Sequence, residues 1–197
     1  MSLVRGAVRG ARAPPEIRRV VRTLSPHRGA LAATEAALTS DRRIALLLDV
    51  VDQAFDRRAW HGTALWGSVR GLTPREALWR PGPRRHNIWE IVLHTTYWKC
   101  IVRRRLTRDP GLVFPRAGSN WPGLPAKPDA AAWRRDVALL KEQHRLLRAV
   151  IARFPAARLA ARGWRSTWTN AQHVYGIASH DLYHAGQIQL LKALKGR

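Results

Sequence analysis

From Ile44 onward, apolar residues recur at helical spacing: Ile44, Leu47, Leu48, Val51 and Phe55 share one face, and Asp41 is placed to cap the start. This predicts a first helix running to about Gly71, where Gly71-Leu72-Thr73-Pro74 and then Pro81-Gly82-Pro83 supply stop signals. Thr73-Pro74-Arg75-Glu76 has the form of a capping box opening a short helical turn. A second helix starts at Asn87, its cap, carries Ile91, His94, Trp98 and Ile101 on one face, and ends around Asp109-Pro110-Gly111. Residues 114–128 contain four prolines and two glycines and form a long connection. A third helix spans Asp129 to Arg153, with Trp133, Val137, Leu140, His144, Leu147 and Ile151 as its inner stripe, and Pro155 stops it. The fourth begins at Thr169 or Asn170 and runs to about Lys195, with Ile177, His180, His184, Ile188 and Leu191 on one face. Four such helices, with no alternating strand pattern, predict an all-α four-helix bundle with a long crossover over residues 41–197.

Residues 1–40 differ, with seven arginines, two acids and prolines at 14, 15 and 26, and no sustained apolar stripe. They are expected to form a disordered arginine-rich extension. Such a start resembles an organellar transit peptide but lacks the apolar core of a secretory signal. The 197 residues suit one core, and no stretch approaches the ~18 uninterrupted apolar residues a membrane helix needs. Cys100 is the only cysteine, so no intrachain disulfide forms, and a cytoplasmic location without a membrane partner is expected. Cys100 sits in an apolar run and reads as a small buried hydrophobe. Thirty-five basic against 13 acidic residues give a net charge of +22, which suits nucleic acid or an anionic surface. Arginine far outnumbers lysine and alanine is abundant, a bias that GC-rich coding produces without functional pressure, so charge alone does not establish a nucleic-acid partner.

The histidines change the picture more. His180 and His184 lie four residues apart, so their side chains stack one turn from each other, and both fall on the stripe of Ile177, Ile188 and Leu191. His94 points inward on the second helix in the same way. A buried polar group without a partner costs on the order of 1 to 3 kcal/mol, and one divalent metal would satisfy all three imidazoles at once. Three imidazoles suit zinc, nickel, copper or ferrous iron and leave a position for water, the layout of a catalytic site. Glu90 precedes His94 by one turn and is the candidate general base or acceptor for an imidazole N–H, with a solvated salt bridge as the alternative. Gln187, three residues after His184, can line the open side. Helices one and two, joined across residues 72–86, should run antiparallel, pairing levels whose numbers sum to about 158; His61 then lies opposite residue 97 and becomes a further ligand or pocket candidate. His86 reads as a capping or loop residue. His180-Asp181-Leu182-Tyr183-His184 has the spacing of the zinc-protease H-E-x-x-H motif, but aspartate is one methylene too short and no strand precedes the helix. Most of the nine tryptophans should anchor the core, while Trp164 and Trp168 are placed to wall a pocket.

The runs His86-Asn87-Ile88-Trp89-Glu90-Ile91-Val92-Leu93-His94 and His180-Asp181-Leu182-Tyr183-His184-Ala185-Gly186-Gln187-Ile188 resemble the DinB-like superfamily over about residues 41–195. The resemblance implies a four-helix bundle with a divalent metal held by one histidine of the second helix and two of the last, here His94, His180 and His184. It also implies frequent homodimers and, among some relatives, transferases or isomerases that use low-molecular-weight thiols such as bacillithiol or mycothiol. Three functions fit these residues. One is a metal-dependent enzyme, a thiol transferase or hydrolase in which a thiol or water attacks a small electrophile. Another is a metal-binding or stress-response module without turnover. The third is a nucleic-acid or anionic-surface binder.

Overall fold

The computed structural model describes residues 42–196. Helix α1 covers residues 42–55, α2 Leu65–Val69, α3 Pro74–Leu78, α4 Ile88–Thr107, α5 Ala130–Ala152 and α6 Asn170–Leu194, with a 3-10 turn at Ala156–Arg158. Among the described residues no strand forms beyond one isolated bridge between Arg162 and Thr169. The chain is therefore an all-α bundle whose long members are α1, α4, α5 and α6, with the crossover between α4 and α5. No helix among the described residues is long and apolar enough to cross a membrane. The expected extension at 1–40 and the Asp41 cap lie outside the described residues.

Local chemistry sets the ends of these helices. Thr73 and Glu76 close the expected capping box on α3, and Asn87 does the same with Glu90 on α4. Asp129 accepts the Ala132 N–H at the start of α5, and Thr169, the first of the two expected caps, forms a box with Gln172 on α6. Helix α4 stops at Arg108 in the left-handed region (φ 59°), just before Pro110. The first helix is shorter than expected. The N–H groups of Asp56 and Arg57 both donate to the Asp52 carbonyl, closing the helix at residue 55, and the chain then runs through Gly62 at φ 101°. The expected end at Gly71 rested on the stop signals there, whereas the chain leaves the helix at residue 55 and forms the separate short helix α2 before reaching them.

The core has two apolar parts. Phe55, Leu65, Trp89, Leu93, Trp133, Leu140 and Ile188 belong to one; Val51, Val102, Leu147, Ile151, Val174 and Ile177 belong to the other. Between them each long helix contributes buried polar groups: Asp52 from α1, His94, Thr95, Thr96 and Lys99 from α4, Gln143 and His144 from α5, and Asp181 and His184 from α6. Cys100 is buried, as its apolar surroundings required, and burial pushes its thiol pKa up. Polar groups removed from water must find partners within the layer, so this is where chemistry beyond packing is concentrated.

Candidate metal centre

His94 on α4 and His180 and His184 on α6 converge. The Nε2 atoms of His94 and His180 lie 3.0 Å apart, those of His180 and His184 3.1 Å, and one nitrogen from each ring lies within 4.8 Å of the others. His94 and His184 are buried and His180 is half-buried. The partners on the far side of two rings determine which nitrogen carries the proton. His94 Nδ1 is 2.7 Å from the Asn120 carbonyl oxygen and His184 Nδ1 is 2.7 Å from Gln187 Oε1, both oxygens that can only accept. Each Nδ1 is therefore a donor, and each Nε2 presents a lone pair toward His180. The third ring cannot be satisfied by either tautomer. Protonated at Nε2, His180 leaves its buried Nδ1 as an unpaired acceptor; protonated at Nδ1, it leaves that N–H without an acceptor and adds a third lone pair to the cluster.

Electrostatics keep the rings neutral. Burial lowers the His180 pKa to about 3, reinforced by His184, His94 and Lys99. Burial also lowers His184 to about 4, with His94 adding to the effect and the Gln187 hydrogen bond opposing it. His94 is lowered by burial against the opposing Asn120 hydrogen bond. Three neutral imidazoles that bring one nitrogen each within 4.8 Å of the others offer a donor set that fits a divalent ion. A tetrahedral ion with ligand nitrogens at about 2.0–2.1 Å would separate them by about 3.3–3.4 Å, a few tenths of an ångström from the separations found.

The crossover holds this cluster in place. Trp121 stacks on His94 with centroids 3.9 Å apart and on His86 at 3.6 Å, forming a His86–Trp121–His94 sandwich. Asn120, at φ 57°, aims its carbonyl at His94 while its side-chain oxygen accepts the Trp98 indole N–H at 2.9 Å. Neither Asn120 nor Trp121 lies on a periodic stripe; an Asn-Trp pair in a proline-rich connection was the only available signal. A cavity of about 710 Å3 opens onto the cluster, bounded by Arg84, Arg85, His86, Trp121, Tyr183 and Gln187.

Glu90, His61 and Gln187 were the other expected members of the site, and the structure puts the three in different places. Glu90 makes a two-point ion pair with Arg80 (2.7 and 2.6 Å), accepts the Asn87 N–H and lies 3.1 Å from His86 Nδ1. Burial raises its pKa, but the bonds from Arg80, Asn87 and His86 outweigh this and hold the carboxyl below its usual range. It caps a helix and binds an arginine, close to the salt-bridge alternative, and its hydrogen bonds go to Arg80, Asn87 and His86. His61 is exposed and borders a small cavity with Leu182, Gly186 and Gln189. At 100° per residue, that face of α6 points away from His180, His184 and Gln187. The level-pairing that placed His61 beside His94 required α1 to continue past residue 55, which it does not. Gln187 lies where expected, against His184. Asp181, the acid of the H-D-x-x-H run, turns away from the cluster and pairs with Lys99 in the core.

A model of the DinB superfamily matches residues 56–188, starting after α1 and ending inside α6, a shorter span than the resemblance over residues 41–195. No curated protein and no solved structure matches the chain. The family match covers all three histidines and the crossover that clamps His94, and the chain belongs to the DinB superfamily.

Proposed function

We propose that His94, His180 and His184 bind one divalent metal ion, zinc, nickel or iron, through their Nε2 atoms, and that the protein is a metal-dependent enzyme acting on a small electrophile. One observation carries this reading. Both flanking rings have their Nδ1 protons committed to carbonyl oxygens, so two Nε2 lone pairs face a third ring that has at most one N–H to offer them and is left with an unpaired Nδ1 when it does. When bound, such an ion supplies Lewis acidity, lowering the pKa of a water or thiol so that its deprotonated form can attack.

The chain's own groups supply position and access. Gln187 and the Asn120 carbonyl orient two rings, and Trp121 shields the His94 face from water. Arg84 and Arg85 line the 710 Å3 cavity and favour an anionic co-substrate, such as an acidic low-molecular-weight thiol. Glu90, committed to Arg80, is not the base. The proton of the attacking group passes to solvent through the open side of the cavity.

Metal analysis of protein purified without chelator tests the binding. About one equivalent is expected, lost in His94→Ala and His184→Ala while helical content is kept; a metal-free wild type after supplementation with zinc, nickel and iron would sink the reading. Thiol transfer to chlorodinitrobenzene then separates an enzyme from a metal-binding module. Turnover that requires all three histidines supports the enzyme, and a metal-loaded protein inert with every thiol and hydrolytic substrate supports the module.

A further inference from the structure

His180 also borders a second cavity, of about 660 Å3, lined by neither His94 nor His184. Its apolar walls are Trp98 and Val102 from α4, Trp168 from the preceding loop and Ile177 from α6. Two arginines, Arg105 and Arg165, line it, and no aspartate or glutamate does. Among the described residues neither guanidinium has a carboxylate partner. Arg105 lies over the Trp98 ring at 5.8 Å and Arg165 over Trp164 at 4.6 Å. Arg104, whose buried Nε has no partner, joins them around an adjoining space of about 150 Å3. Burial and the Arg104 charge both lower the Arg105 pKa, and among the described residues no carboxylate pairs with this positive charge.

Hydrogen bonds and close packing within the chain shape the loop that supplies part of the walls. The Gly163 N–H donates to the Trp168 carbonyl and the Asn170 N–H to that of Ala161, both at 2.9 Å, closing the loop that carries Arg165, Ser166 and Trp168. Arg165 is held in the left-handed region at φ 50°. His173 packs so closely on Gly163 that a Cβ there would fall 2.6 Å from its ring, and its Nε2 lies 2.9 Å from Ser166 Oγ. Burial lowers the His173 pKa, leaving a neutral, polar floor beside the two arginines.

The geometry points to a binding site for a small aromatic carboxylate, its ring against the Trp98 and Trp168 indoles and its anion on Arg105 and Arg165. The size is that of a small-molecule site, and few polar groups in an apolar cleft is the pattern such sites share. A guanidinium matches a carboxylate in both charge and shape, and two of them line this cavity. This goes beyond the metal centre, and its test does not depend on it. Titration calorimetry of the full chain with 2-naphthoate and with 2-naphthamide, which keeps the ring and loses the charge, measures the preference directly. The acid is expected to bind at least about tenfold more tightly. Arg105→Ala/Arg165→Ala should remove most of that preference. Arg165→Ala alone, on an exposed residue, should reduce it, which keeps the test decisive if the double variant misfolds. Arg153→Ala, on an exposed arginine elsewhere, should leave it intact, and His94→Ala should bind naphthoate within about twofold of wild type, so a failed metal centre would not disturb the result. Absence of binding, equal affinity for acid and amide, or a preference that survives both site variants would overturn the proposal.

Discussion

The polar layer that interrupts the core holds two clusters on one turn of α6, and they are neutralised in different ways. Asp181 and Lys99, exposed by 1% and 0%, face each other, so opposite charges cancel within the chain. Lys99 lies also over the Phe55 ring at 4.9 Å. One residue earlier on the helix, His180 joins His94 and His184, two neutral rings that turn acceptor nitrogens inward and have their donors bound elsewhere, while its own Nδ1 is buried without a partner among the described residues. A single helical step, about 100° of rotation, separates a closed pair from an open set of lone pairs. Burial alone therefore does not mark a functional group in this core, and neither does a missing partner, since Asp181 Oδ1 and His144 Nδ1 are also buried without one among the described residues; what distinguishes the imidazoles is that one nitrogen from each of three rings lies within 4.8 Å of the others.

Breaking the closed pair should have the largest effect. Asp181→Ala leaves an ammonium buried without its carboxylate, a loss of about 3–5 kcal/mol in unfolding free energy by urea titration. Lys99→Met/Asp181→Leu, which removes both charges and keeps volume, should recover most of it. A cost below about 1 kcal/mol for the single variant would mean that water reaches Lys99, and the contrast with the imidazole cluster would weaken.

The open cluster should respond instead to what is added. With free metal at a hundred times its Kd, the bound ion would stabilise the fold by about 2.7 kcal/mol, and excess chelator should remove that increment. His184→Ala should be indifferent to chelator. Acid probes the same cluster without metal. His180 and His184 fall from an ordinary 6.5 to about 3 and about 4 in the fold, and His144, buried against Phe55, falls to about 2. Between those values and 6.5 the unfolded chain binds more protons, so stability rises with pH there and is lost as pH drops below 6.5. Urea midpoints of chelated protein at pH 7, 5.5 and 4.5 should fall in that order, less steeply in His180→Ala/His144→Phe. Gln187→Ala, which removes the acceptor that orients His184, should weaken metal binding about 10- to 100-fold in a competition titration with a chromophoric chelator.

Much of this was legible in the sequence because it is local or periodic. The caps at Thr73, Asn87, Asp129 and Thr169 and the inward stripe of His94, His180 and His184 follow from spacing along one helix. What failed required knowing where chains meet. His61 was placed by assuming an uninterrupted first helix, and a backbone closure at Asp52 moved it to the opposite face of α6. Asn120 and Trp121 sit in a connection with no period, so nothing along the chain showed that they clamp His94. Lys99 sits among apolar residues with nothing nearby in sequence to neutralise it; its partner Asp181 lies on another helix, 82 residues away.

Glu90 gives the smallest and sharpest test of the contrast, because it stands one turn from His94 and yet belongs with the closed pairs. Its two oxygens are committed to Arg80, the Asn87 N–H and His86. Glu90→Gln keeps the amide oxygen that can accept from Asn87 but loses the charge that binds Arg80, so it should lower stability by about 1 kcal/mol, in the range of a weakened helix cap. If Glu90 only holds the helix, metal content and the pH dependence of any turnover should remain as in wild type. A general base at this position would behave differently: the same substitution would lower kcat by orders of magnitude and abolish the acid limb of the pH profile, with stability little changed. Urea titration and a pH–rate profile on the one variant therefore separate a carboxylate that holds the helix from one that takes part in the chemistry.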